Sequence, residues 1–218
     1  MNILVFLGAP GSGKGTQSDM LVNKNNYEKI STGDLLRDVS SSGSDLGKEI
    51  KEIMKSGGLV SDEIVAKLIR DKLSLSNNSI SNFIFDGFPR TLNQAKILED
   101  IINDIDQFAK VSILLLQIDK ESVLDRISGR FVCGDCKENY HERYKKSKID
   151  GVCDLCGSKN MIKRDDDKPE TVVSRIDSYN REIEPIIEFY QKEYGVNEII
   201  GNKHYSKVYQ EILSSVNI

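Results

Sequence analysis

Two groups of residues in this 218-residue chain have types and spacing that could do chemistry. The first is Gly8-Ala9-Pro10-Gly11-Ser12-Gly13-Lys14-Gly15-Thr16, directly after the apolar run Ile3 to Leu7. Glycines let backbone N–H groups converge on phosphate oxygens without obstruction by side chains. A helix starting there would aim its positive end at them, and Lys14 adds a full charge. The Gly-x4-Gly-Lys spacing between a strand and a helix is that of a phosphate-binding P-loop. The general pattern places Ser or Thr directly after Lys as a Mg²⁺ ligand. Here Gly15 intervenes and Thr16 stands one place late, so direct ligation of magnesium by Thr16 is not expected.

The second group is four cysteines. Cys133-Gly-Asp-Cys136 is followed, sixteen residues on, by Cys153-Asp-Leu-Cys156. Each Cys-x-x-Cys knuckle offers two thiolates on one tight turn, and two knuckles complete a tetrahedron. Four thiolates close the coordination sphere, so the spacing predicts a structural Zn²⁺ rather than one that activates water. Disulfides or free thiols are the alternatives.

These groups need a scaffold. Besides Ile3 to Leu7, apolar runs lie at Phe83 to Phe85, Val111 to Ile118 and Val196 to Ile200. Helical periodicity occupies Asp62 to Leu75, Thr91 to Phe108 and Glu121 to Ile127, and a long helix kinked at Pro185 is expected after Pro169. Strands alternating with helices predict a parallel sheet covered on both faces. Residues 31–61 read as short helices. Residues 131–167 hold all the cysteines and few aliphatics, and the acidic run Asp165 to Asp167 reads as the cap of the long helix.

Composition narrows the function. A formal net charge of −4 offers no basic excess for nucleic acid or anionic membranes. The N-terminal apolar run is too short to span a bilayer and lacks a basic leader, so a cytoplasmic protein with reduced or metal-bound cysteines is expected.

Further motifs then accumulate in order: Ser31-Thr32-Gly33-Asp34-Leu35-Leu36-Arg37, Leu59-Val60-Ser61-Asp62-Glu63, Asp86-Gly87-Phe88-Pro89-Arg90-Thr91 with Gln94, Asp125-Arg126-Ile127-Ser128-Gly129-Arg130, and Arg164-Asp165-Asp166 with Arg175. With the loop at Gly8 to Thr16 they resemble adenylate kinases across nearly the whole chain. The resemblance implies a three-layer α/β P-loop nucleoside triphosphate hydrolase-like fold. Its core would be residues 1–30, 62–129 and 168–218. A small helical AMP-binding insert would fill 31–61, and a zinc-bearing β lid 130–167. It implies ATP + AMP = 2 ADP with Mg²⁺.

By the same resemblance, Gly11, Ser12, Gly13, Lys14, Gly15 and Thr16 cradle ATP, with Lys14, Arg90, Arg126, Arg130, Arg164 and Arg175 catalytic. Arg126 and Arg130 also belong to the ATP site, and Arg164 and Arg175 to the AMP site. Arg37 and Arg90 would hold the AMP phosphate. Thr32, the backbone of Gly58, Leu59 and Val60, Gly87 and Gln94 would frame the AMP adenine. Asp86 would hold Mg²⁺ through water. Tyr140, His141 and the backbone of Lys203 would lie near ATP. An arginine crowd suits the chemistry, because the ionised AMP phosphate needs little base and catalysis is mainly positioning and charge stabilisation. Guanidinium binds phosphate bidentately and keeps its charge. A monomer is expected, since a long cleft must open and close.

Two rival readings differ in their residues. A UMP/CMP kinase usually carries Ala where Thr32 stands, and a short lid. A non-catalytic zinc module for nucleic acid conflicts with the balance of eight basic and eight acidic residues over 131–167.

Overall fold

The structure, a computed structural model, describes residues 1–76 and 82–217. The run Ile3 to Leu7 forms the centre of β1 (Asn2–Gly8), which is buried on both faces. It pairs in parallel with β3 (Asn82–Asp86) on one side and β4 (Lys110–Gln117) on the other. Ile3 thus stands beside both Phe83 and Val111. β2 (Glu28–Ser31) and β8 (Val196–Ile200) complete a five-stranded parallel sheet, in the order β2-β3-β1-β4-β8.

Alternation along β1 sorts its side chains between two cores. Ile3, Val5 and Leu7 pack with Val65 and Ile69 of α4 (Asp62–Ser74), Leu98 and Ile102 of α5 (Leu92–Asp106), and Ile186 and Tyr190 of α7 (Pro169–Glu193). Leu4 and Phe6 face the other way. They meet Leu21 of α1 (Lys14–Asn25) and Val208, Tyr209 and Ile212 of α8 (Tyr205–Val216). The result is the expected three layers. Each fully buried aliphatic side chain contributes about 1.5–3 kcal/mol, so the scaffold beneath the site is stiff.

Two regions leave the sheet. α2 (Thr32–Ser40) and α3 (Asp45–Lys55) form a small helical unit after β2. Ser31 caps α2 by accepting from the Asp34 N–H at 3.3 Å. After α6 (Lys120–Ser128), the chain forms a three-stranded antiparallel sheet from β5 (Arg130–Cys133), β6 (Asn139–His141) and β7 (Met161–Ile162). The long helix α7 runs through Pro185 as one element and begins with Pro169 in its first turn. Its start corrects one expectation. Asp165–Asp167 form a 3₁₀ turn and do not cap α7, because arginines take up the Asp166 and Asp167 carboxylates. The Thr171 hydroxyl, in the first turn of α7, donates to the Lys55 carbonyl at the end of α3, at 2.8 Å.

Candidate active site

The C-terminal ends of β1 and β3 open into a cleft of about 430 Å³, bounded by the helical unit on one side and the small antiparallel sheet on the other. Gly13, at φ 103°, caps α1 in a left-handed conformation that only glycine adopts without strain. That conformation turns the loop so that α1 begins at Lys14. The Lys14 Nζ donates to the carbonyls of Gly8 (2.6 Å) and Ala9 (2.9 Å) and to the Ser12 hydroxyl (3.3 Å). Burial pushes its ammonium down to about 8, partly offset by the Asp86 carboxylate. A cation whose charge is this poorly solvated gains much from an approaching phosphate.

All seven predicted cations, Lys14, Arg37, Arg90, Arg126, Arg130, Arg164 and Arg175, line this cleft, although they come from separate elements. Arg90 is fixed by its Nε donating to the Gly87 carbonyl at 2.8 Å. Arg126 reaches back across the loop to the carbonyls of Gly201 (2.7 Å) and Ser12 (3.4 Å). Arg130 forks onto Asp167, with its Nε at 2.8 Å. Arg175 binds the Asp166 carboxylate at 2.7 Å, and Arg37 binds Asp34 at 2.6 Å. Burial, reinforced by neighbouring guanidinium groups, pushes Arg90 down to about 10 and Arg164 to about 9. Both remain charged at neutral pH.

The pairing of acidic residues with these arginines has no signal in the sequence. Asp166 and Asp167 belong to the acidic run that reads as a helix cap, and Asp166 also to a quoted motif without a role, yet both occupy arginine edges that suit phosphate oxygens. Arginines drive the Asp166 carboxyl down against the opposing effect of burial. Asp34 falls to about 2: burial opposes this, but Arg37 and Lys29 outweigh it.

On the helical side, Thr32 is buried and donates to the Gly87 carbonyl at 2.8 Å. Gly87 itself has φ 81°, and a Cβ there would stand 3.0 Å from the Thr32 hydroxyl. The buried Gln94 accepts from the Arg90 N–H at 2.8 Å and donates to Asp62 at 2.7 Å. These opposite partners fix its amide orientation. Gly58, Leu59 and Val60 line the same end, and Gly11, Ser12, Gly15, Thr16 and Lys203 line the other. The Lys203 ammonium is paired with Glu211, so only the rest of the residue is offered to the cleft. Asp86 ends β3, with Oδ2 3.5 Å from where a Cβ on Gly15 would be. A lone carboxylate facing a phosphate loop suits Mg²⁺, which is held by one or two carboxylates together with substrate oxygens.

In the antiparallel sheet the four cysteine Sγ atoms lie within 4.8 Å of one another. Cys133–Cys156 is 3.6 Å and Cys136–Cys153 is 3.4 Å. A disulfide requires about 2.05 Å, so the thiols are unlinked. Thiolates about 2.3 Å from a tetrahedral zinc stand roughly 3.8 Å apart, so the set fits a closed structural site. The Tyr140 hydroxyl donates to Cys153 Sγ at 3.4 Å and accepts from the Asp154 N–H at 2.7 Å. Tyr140 therefore borders the cleft with its hydroxyl committed to the cysteine cluster. His141, expected near ATP, lines the cleft at the end of β6 and is buried. Its Nδ1 accepts from the Arg143 N–H at 2.9 Å, leaving Nε2 to donate toward the Asp125 carbonyl at 3.3 Å.

Among the described residues no helix is long and apolar enough to cross a membrane. A family model described as adenylate kinase matches residues 6–195. The chain is 41% identical over 198 residues to an adenylate kinase of Paracoccus denitrificans, covering 91% of this chain and 89% of the relative. It is 37% identical over 216 residues to an adenylate kinase of Caldicellulosiruptor saccharolyticus, with 99% of each covered. With an adenylate kinase of Listeria monocytogenes it shares 37% over 209 residues, 96% of each. The seven cations, the phosphate loop and these full-length similarities agree: the chain belongs to the adenylate kinase family.

Proposed function

We propose that the chain transfers the terminal phosphoryl group of ATP to AMP, giving two ADP. The observation that carries this reading is the convergence of seven cations between the phosphate loop and the Thr32–Gln94 pocket. Two polyphosphates meeting end to end bring many negative oxygens together, and no single base could relieve that charge. In this reading Gly11 to Thr16 cradle the ATP phosphates. Lys14, Arg126 and Arg130 neutralise charge on the transferring group, while Arg37 and Arg90 hold the AMP phosphate. Arg164 and Arg175 stand between the two. Thr32, Gln94 and the backbone of Gly58 to Val60 with Gly87 select adenine. Lys203 and Tyr140 border the ATP end.

Mg²⁺ supplies charge neutralisation between the phosphates when it arrives with ATP, and Asp86 would hold it through water. Zn²⁺ on Cys133, Cys136, Cys153 and Cys156 would cross-link a lid too poor in aliphatics to build its own core. The unit boundaries follow: core 1–30, 62–129 and 168–218, insert 31–61, lid 130–167. The same reading makes the protein a cytoplasmic monomer without nucleic-acid or membrane partners.

An initial-rate panel of ATP and GTP against AMP, GMP, UMP and CMP tests the assignment. ATP with AMP should be the fastest pair. A preference for UMP or CMP would move the chain to the neighbouring kinase class.

A further inference from the structure

One lid side chain reaches the core through polar contacts that no sequence motif announces. Asn139 opens β6. Its Oδ1 accepts from Arg164 Nη2 at 2.8 Å, and its Nδ2 donates to Asp19 Oδ2 at 2.8 Å. Asp19 lies on α1, just beyond the phosphate loop, and its other oxygen pairs with Lys29 of β2. Lys29 in turn stands 3.9 Å from Asp34, the partner of Arg37. A guanidinium can only donate and a carboxylate can only accept, so the Asn139 amide has one orientation. The Asn139 Nδ2 is also 3.4 Å from where a Cβ on Gly15 would stand, so the lid rests directly on the loop. Arg164 has one edge held in this way. Its Nε is buried without a partner among the described residues, and the side chain lines the cleft.

We propose that Asn139 is a positioning residue. It grips one edge of Arg164, leaves Nε–H free for phosphate oxygens, and latches the lid to α1 through Asp19. This rests on the phosphoryl-transfer reading above. An Arg164 held on one side presents a fixed donor to the transferring group, whereas a loose one must be ordered during each turnover. The contact also makes lid closure and arginine alignment a single event. The relay runs Arg164–Asn139–Asp19–Lys29–Asp34–Arg37, so the same polar chain links the two ends of the cleft.

A charge swap tests the latch. Asn139→Asp sets a carboxylate against Asp19, and Asp19→Asn takes away the partner of Lys29. Each alone should lower kcat/KM for ATP about tenfold or more, as expected for a broken, partly buried polar pair. Each should also lengthen the nucleotide-free lid-to-core distance, read by a dye pair on non-cysteine handles. The combined Asn139→Asp, Asp19→Asn protein restores both hydrogen bonds of position 139, with donor and acceptor exchanged toward position 19, while Lys29 meets a neutral amide oxygen in place of its carboxylate. It should recover to within about threefold of wild type in both readouts, the signature of direct coupling. Zinc content and melting temperature establish that all variants are folded. A pair that stays as impaired as the worse single variant overturns the proposal, as do single variants with wild-type kinetics and lid distance. If Asn139→Asp does not fold, Asn139→Ala and Asp19→Ala replace the swap; non-additive losses support the latch and additive losses overturn it. Failure of the phosphoryl-transfer reading is separate: wild type would then make no ADP from ATP and AMP, while the lid distance would still report on the latch.

Discussion

Lys14 should burden the fold in proportion to its use in the reaction. Its ammonium is pushed from 10.5 to about 8, chiefly by burial. At about 1.36 kcal/mol per pH unit, holding that charge inside costs the nucleotide-free protein roughly 3 kcal/mol. The sign follows from linkage. Below pH 8 both folded and unfolded chains carry the proton, and the full cost is present. Between pH 8 and 10.5 the unfolded chain binds more protons than the folded one, so stability rises with pH through that window. Lys14→Met removes the titration. Urea unfolding of both proteins from pH 7 to 10.5 isolates it, because the other lysines cancel in the difference. Relative to the variant, wild type should gain about 3 kcal/mol across the window. Turnover should fall by about 10²–10³, as when a group that stabilises transition-state charge is lost. The variant also leaves the Gly8 and Ala9 carbonyls without their donor, which shifts the whole curve without changing its slope. A difference curve flat with pH, or near wild-type kcat, would refute the reasoning.

Three further outcomes follow from the site. Thr32→Ala should weaken AMP more than ATP by about 0.5–1.5 kcal/mol, the net worth of a buried hydrogen bond, and raise relative activity on UMP or CMP; steady-state kinetics with each nucleotide check this. Asp34 is held near 2, below its usual 3.8, so it contributes about 2 kcal/mol that is present above pH 4 and lost as pH falls toward 2. Asp34→Asn should flatten that part of the acid-unfolding curve. Elemental analysis should find about one zinc per chain. Chelation should melt the lid first, raise the ATP KM and leave residual activity at low temperature. A metal-free protein that is fully folded yet inactive, and revived by zinc, would make the metal catalytic.

Much of this architecture is legible in the sequence because its elements have local signals. β1, β3 and β4 are apolar runs, and β8 begins and ends with the weaker run Val196 to Ile200. β2 was not anticipated: Glu28-Lys29-Ile30-Ser31 is a short edge strand with one fully buried residue, so no apolar run marks it. The cations were reachable only through ordered motifs, since nothing local in Arg37 or Arg175 says that they share a cleft. Of the carboxylates facing them, Asp34 and Asp166 lie in those motifs but nothing there marks them as arginine partners, and Asp167 lies outside them. Asp167 lies 37 residues from Arg130, and Asn139 lies 120 from Asp19; contacts of that span leave no periodicity. His141 borders the cleft as the resemblance implies, but its burial has no sequence signal, because the backbone N–H groups that hold its ring belong to the turn after it.

The first turn of α7 has a wider consequence. Thr171 is tied to the last residue of α3, while the 3₁₀ turn that closes the lid lies only two residues before the helix starts. The helix then carries Ile186 and Tyr190 into the core. One rigid rod therefore has the AMP-side unit and the ATP-side lid fastened at the same end. Under the proposed assignment of the two sites, a strain passed through this turn would couple them, and such a coupling would be reciprocal by thermodynamic necessity. That coupling would need no second subunit, and substitutions at this turn would alter it while the phosphate contacts stay as they are.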